Sequence, residues 1–316
     1  FSRQENREEV MTRTRFLSLI LLAVCASTAY AQINIKRTET LDLPRSQAWS
    51  HPQFSPTGGL IYFTNLDGNG IWEYSLKTRT TRQLTSDPKS GLAFTIAADG
   101  KSLVYRRTLQ DKSGRTRKQD IILMNLAKRS TSVLASGSDV SAPSFANNVP
   151  VYSTRSKTEV LARTAGTANL TVLGIENTKI ALNVNGKKTL LDPLGGGSYV
   201  WPVLSPDKQL LVAYEMDQGA FVCDLAGTVI NKLGRRDAPS WTRSGKWIVY
   251  MDDKDDGHKL LSSEICAVSP DGKMIVPLTS TPVLHEMFPQ CSPRENKIVC
   301  STSDGNIVIL EYEEHQ

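Results

Sequence analysis

Residues able to do chemistry are sparse in this chain. It has four histidines. Two of them, His51 and His285, stand among acidic neighbours once the chain's repeats are aligned: Glu286 follows His285, and Asp237 occupies the corresponding place in another repeat. Imidazole and carboxylate suit several divalent ions. His51, His285, Glu286 and Asp237 therefore form a candidate metal site if the fold gathers them, and a divalent metal is the one cofactor these residues suggest. The run DDKDDG (Asp252–Gly257) fails as a calcium loop, because Lys254 takes a ligand position and no Glu stands twelfth. No P-loop, HExxH or dinucleotide fingerprint occurs. The stretch GGGSYV (Gly195–Val200) lacks the spacing of a nucleophile elbow. No catalytic residue is assigned, and the chain reads as more like a binding protein than an enzyme.

Two further groups suit binding. Trp49 and Trp201 precede apolar strands and could stack on a ligand or anchor a partner. Lys112, Arg115, Arg117 and Lys118 form a basic hairpin suited to an acidic protein or an anionic glycan. The net charge of +5 over 316 residues is dispersed and gives no nucleic-acid footprint.

These residues need elements to position them, and the elements repeat. PQFSPTGGLIYFT (Pro52–Thr64) returns as PVLSPDKQLLVAY (Pro202–Tyr214), PSWTRSGKWIVYM (Pro239–Met251) and PQCSPRENKIVCS (Pro289–Ser301). Looser copies begin at Phe94 and Pro143. The proline slot thus falls at 52, 94, 143, 202, 239 and 289. After each copy come short Val-, Ile- and aromatic-rich runs separated by Gly, Asp, Asn and Ser, which is a strand-and-hairpin pattern. Four antiparallel strands every 40–50 residues predict an all-β, six-bladed β-propeller. Residues 143–201 read as one long blade with an extended hairpin, a seventh, degenerate blade being the alternative. INIKRTETLD (Ile33–Asp42) has no blade of its own and is expected to pair with NIVILE (Asn306–Glu311), closing the ring. The residues just ahead of each innermost strand would line the channel mouth. That places His51, Trp49, Trp201, Asp237, His285 and Glu286 there.

Residues 1–31 stand apart. From Met11, a basic start, an apolar run and small residues at Ala29 and Ala31 predict a secretory signal peptide ending at Ala31, behind an upstream remnant. The propeller would then occupy residues 32–316. It would be periplasmic or secreted, monomeric and without a membrane span after cleavage. Cys223, Cys266, Cys291 and Cys300 lack zinc-ligand spacing, and buried thiols are expected, with pairing left open.

The pattern of proline, an apolar residue, Ser-Pro or a related pair, a Gly or Asp turn and an apolar strand resembles the WD40-like PD40 repeats of exported TolB-like propellers. That resemblance spans almost all of residues 33–316 and implies a propeller that binds a protein partner in the cell envelope, as a scaffold without enzymatic activity. The alternative is a carbohydrate-binding or metal-dependent carbohydrate-active propeller, lyase- or glycosidase-like, with its site at the channel mouth.

Overall fold

The computed structural model describes residues 32–110, 117–138, 140–154, 157–160 and 170–315. Its strands follow one another around a ring. The N-terminal strand β1 (Gln32–Thr40) precedes a first sheet of β2 (Trp49–Phe54), β3 (Leu60–Asn65), β4 (Ile71–Ser75) and β5 (Thr80–Thr85). The second sheet is β6 (Phe94–Ile96), β7 (Ser102–Gln110), β8 (Arg117–Asn125) and β9 (Thr131–Gly137). Two three-stranded sheets come next: β10 (Ser144–Ala146), β11 (Val149–Thr154) and β12 (Lys157–Val160), then β13 (Leu170–Glu176), β14 (Lys179–Val184) and β15 (Lys187–Leu191). Two four-stranded sheets follow. The first is β16 (Tyr199–Leu204), β17 (Leu210–Glu215), β18 (Gly219–Asp224) and β19 (Val229–Gly234). The second is β20 (Asp237–Trp241), β21 (Ile248–Asp255), β22 (Leu260–Val268) and β23 (Ile275–Pro277). The last sheet holds β24 (Glu286–Cys291), β25 (Lys297–Thr302) and β26 (Ile307–His315), with β1 on its outer edge.

The all-β propeller of antiparallel blades closed by the N-terminal strand is therefore what the chain builds. Its complete blades have four strands. The interval 143–201 contributes two three-stranded sheets, so the described residues hold seven sheets, five of four strands and two of three. The sheet β13–β15 carries no copy of the proline motif, which is why the motif count stops at six.

Closure works as the pairing of the chain ends requires. β1 runs antiparallel to β26, from Gln32 opposite His315 to Thr40 opposite Val308. The two near-identical segments then become neighbours. Phe54 N donates to Gln290 Oε1, and Arg294 Nε donates to Pro56 O at 3.1 Å. These bonds join residues 236 and 238 positions apart.

The period of two in each strand decides which neighbour a side chain meets. On β21 and β22, Val249, Ile265 and Ala267 pack towards the closing blade, against Ile298, Cys300 and Leu310. Their alternates Ile248, Tyr250, Cys266 and Val268 pack the other way, against Val212 and Val222. Middle strands are thus buried on both faces and read as continuous apolar runs, as in Phe221-Val222-Cys223. All four described cysteines are buried and unpaired. Burial pushes the Cys266 thiol up to about 11 and those of Cys223 and Cys291 to about 12.

The Ser-Pro turns owe their sequence to side-chain bonding. Ser205 Oγ donates to Asp207 and accepts from Leu210 N at 2.9 Å, while Lys208 sits at φ +60 in the place a glycine fills elsewhere. The SPDG of Ser269–Gly272, although it connects β22 to β23, makes the same bonds, with Ser269 Oγ accepting from Met274 N at 3.0 Å. Its position in the blade differs, but its geometry does not.

Candidate functional site

Every residue ahead of a full motif proline is forced out of line. His51, Trp201, Ala238 and Phe288 have φ of +50, +51, +48 and +54, and each immediately precedes proline. Strand pairing slips at the same place in all four blades, between Ser50 and Gln53, Val200 and Val203, Asp237 and Ser240, and Met287 and Gln290. These are β-bulges, which bend a strand and re-aim a side chain. Here they turn four side chains into the central channel. The looser copies do not do this: Ala93 has φ −151, and Phe94 pairs with Tyr105 in unbroken register.

The four bulged strands, β16, β20, β24 and β2, are consecutive around the ring and line one side of the channel. The cavity between them has a volume of about 670 Å³. His51, Trp201, Ala238 and Phe288 ring its mouth, Gln53, Gln290 and Trp241 line its middle, and Pro56, Pro206, Arg243 and Pro293 stand at the far end. His51 faces the lumen yet is ringed by protein. It stacks on Phe288 with ring centroids 4.1 Å apart, and its Nδ1 lies 2.9 Å from Ser50 Oγ. Burial lowers its pKa, which favours the neutral imidazole.

Trp201 is 40% exposed and meets Tyr214 edge-on at 5.7 Å. It also walls a second, adjoining cavity of about 530 Å³ that reaches Met216, Arg235 and Asp237. There Arg235 bridges Asp253 at 3.1 Å and Asp255 at 2.9 Å. Asp237 lies against Asp253. Burial and then that neighbour push its carboxyl up to about 7, although Tyr214 and Arg235 pull it down.

The remaining sequence candidates are placed elsewhere. Trp49 is not at the mouth: it is 2% exposed, packs edge-on against Phe63 and Trp72, and donates from Nε1 to Pro44 O at 3.0 Å. The reason is phase. The bulge falls after Ser50, so the residue that reaches the lumen is His51. Glu286 is also buried; it accepts from Thr281 Oγ1 at 3.0 Å in a network shared with Glu264, and burial raises its pKa. His285 is held by its backbone, which donates to Ser303 Oγ at 3.2 Å. Consequently His51, His285, Glu286 and Asp237 do not converge. Among the described residues, no three His, Cys, Asp or Glu side chains group as a metal site would need. Of the basic hairpin, Lys118 pairs with Asp120 at 3.5 Å and Arg117 is exposed at the start of β8, while Lys112 and Arg115 lie outside the described residues.

The sequence itself points to the residues ahead of each innermost strand, His51 and Trp201 among them, and the bulge singles out from these the one residue directly before each proline. His-Pro, Trp-Pro, Ala-Pro and Phe-Pro spell the cavity rim. The prolines and turns are structural, and the variable residue between bulge and proline is what a ligand would meet.

No protein-family model matches the chain, and no curated protein matches it by sequence. Solved structures do match. TolB from Acinetobacter baumannii is 17% identical with a TM-score of 0.53, over 78% of this chain and 58% of that one. The β-propeller domain of Cps50 (Swd1) from Myceliophteria thermophila is 12% identical with a TM-score of 0.57, over 89% and 99%. A chain of the Mitotic Checkpoint Complex is 13% identical with a TM-score of 0.58, over 94% and 99%. The present chain therefore spans under two thirds of that TolB structure. Identities this low show the fold alone, and the fold is a TolB-like β-propeller. No helix among the described residues is long and apolar enough to cross a membrane.

Proposed function

We propose that this TolB-like propeller is a non-enzymatic binding module of the cell envelope, exported behind residues 11–31, and that it holds a protein partner on the face around the channel mouth. One observation carries the reading. Six of the ten exposed large hydrophobic side chains among the described residues stand on that side: Leu66, Leu92, Met216 and Val283 in its turns and linkers, Trp201 on the rim, and Leu261 beside a hairpin tip, while Val133, Leu190, Ile230 and Ile275 lie on the outer strands β9, β15, β19 and β23. Val283 is 82% exposed. Among the described residues, no turn on the opposite side exposes such a side chain. Contiguous apolar exposure around a cavity marks an interaction surface, and aromatic residues are the usual anchors of one. The match to a chain of a named multi-protein complex is consistent with this use of the fold.

The mechanism is rigid display. Closed blades hold the rim residues in one arrangement, so a partner meets a preorganised surface and the module loses little entropy on binding. The test is affinity capture from cell-envelope extract, comparing the unaltered chain with Trp201→Ser/Val283→Ser at the mouth and Lys208→Ser/Lys246→Ser on the opposite side. Capture lost only in the mouth variant is the expected result. Equal loss in both, or in neither, would overturn the reading.

A further inference from the structure

The ring of side chains at the mouth has one gap. Of the four equivalent positions, three carry rings, and the fourth, on the strand between Trp201 and Phe288, is Ala238. Nothing steric in the bulge forbids a ring there, since three other blades hold one at nearly the same φ. Nor do the adjoining rings fill the space. Phe288 stacks on His51, away from Ala238, and Trp201 leans on Tyr214 of its own blade. Below the gap lie Pro239, Val203 and Trp241, whose indole is fixed by Nε1 donating to Val203 O at 3.1 Å. The charged residue lining this cavity, Arg243, stands at its far end.

We infer that the space over Ala238, between Trp201 and Phe288, is a side-chain-sized subsite that receives one aromatic ring from the bound polypeptide. The partner thereby supplies the fourth ring of the set. The two aromatic neighbours and the apolar lining of Pro239, Val203 and Trp241 select a ring over an aliphatic group of equal size, because aromatic pairs gain beyond the area they bury. Asp237 and Arg235 stand in the adjoining cavity across Trp201. The subsite rests on the partner-binding reading, and small probes test it without the partner.

The experiment is a titration of the full chain with 5-fluoroindole, followed by fluorine NMR, with cyclohexanol as the saturated control. Saturable binding of the indole, tighter than that of cyclohexanol, is expected. Ala238→Phe, which installs the missing ring, should weaken it at least about tenfold. Ala238→Gly, which leaves the gap open and suits positive φ, should retain it within about twofold. If Ala238→Phe does not unfold cooperatively, Ala238→Leu replaces it as the filling variant. Absence of saturable binding, or equal binding after filling, overturns the subsite. Failure to bind fluoroindole while capture still depends on the mouth overturns the subsite and leaves the partner reading standing. Fluoroindole binding that responds to filling, with capture indifferent to the mouth, supports the subsite and overturns the partner reading.

Discussion

A residue ahead of proline is steered towards extended backbone, and a residue with a Cβ resists positive φ. His51, Trp201, Ala238 and Phe288 carry both constraints at once. A non-glycine left-handed residue costs about 1–2 kcal/mol, and such strain concentrates where a site needs a particular geometry. Ala238 is the position where it can be relieved without losing a ring. Ala238→Gly should therefore stabilise the fold by about 1 kcal/mol, read as a higher urea midpoint at unchanged slope; a lower midpoint would show that the bulge is not strained. Asp237 makes a second residue-level prediction. Its carboxyl is raised, so between about pH 4 and its folded value near 7 the native chain binds more protons than the unfolded one. The stability this gives is complete below the unfolded pKa and is lost as pH rises through 7. The groups facing it are Asp253 and Asp255 on β21, Tyr214 on β17, and Arg235. Asp237→Asn removes this loss. It should gain on the unaltered chain at pH 8 by on the order of 1 kcal/mol after solvent screening, and little at pH 4.5. Denaturant titrations at the two pH values decide it, and an equal change at both would show that the Asp237 carboxyl is not raised in the folded chain.

Among the elements, β1 has the most at stake. It lends its outer strand to a blade built from the opposite end of the chain, and its Ile33 is fully buried against Trp247, Val249 and Leu310. Ile33→Ala should cost about 2–5 kcal/mol from lost burial and the cavity left behind. Denaturant unfolding measures this, and a cost below about 1 kcal/mol would mean that the closure does not share in the cooperative unit. β1 was legible in the sequence because INIKRTETLD was strand-like and had no blade to join. The sheet β13–β15 was less so. Its hairpins are ordinary, with Asn177 and Thr178 at φ +50 and +64 and an Asn185-Gly186 pair, and the Asn-Gly signal can be read directly. But β13 follows no proline motif, so its own sequence does not mark where its sheet joins the ring. Its packing between β10 and β16 does so.

At the scale of the whole molecule, radial packing gives each blade two neighbours and leaves few side chains on the middle strands uncovered. The thiols follow that rule. In residues 32–316, Cys223, Cys266, Cys291 and Cys300 should be nearly inert to a thiol reagent in the native state at pH 8, and all four should react on denaturation. Rapid labelling of any of them in the folded chain would contradict the packing described. The same geometry separates the two faces. Four far-side turns, at Ser55, Ser205, Ser269 and Ser292, are closed by hydrogen bonds to the serine hydroxyl, whereas the mouth-side turns after β3 and β17 expose Leu66 and Met216.

The sequence by itself determined the repeat, the strands and turns within it, and the closure of the ring, because these rest on local chemistry: proline fixing φ, serine bonding across a turn, apolar residues at a period of two. Trp201 and His51 were also within its reach as rim residues. The tertiary structure alone decided that Trp49 turns into the core, that Glu286 is buried in a network with Thr281 and Glu264, that no three of the metal-site candidates gather, and that four rim positions form one cavity with a gap at Ala238. Those outcomes depend on where a bulge shifts the phase of a strand by one residue and on which blades stand side by side, and no short stretch of sequence carries that information.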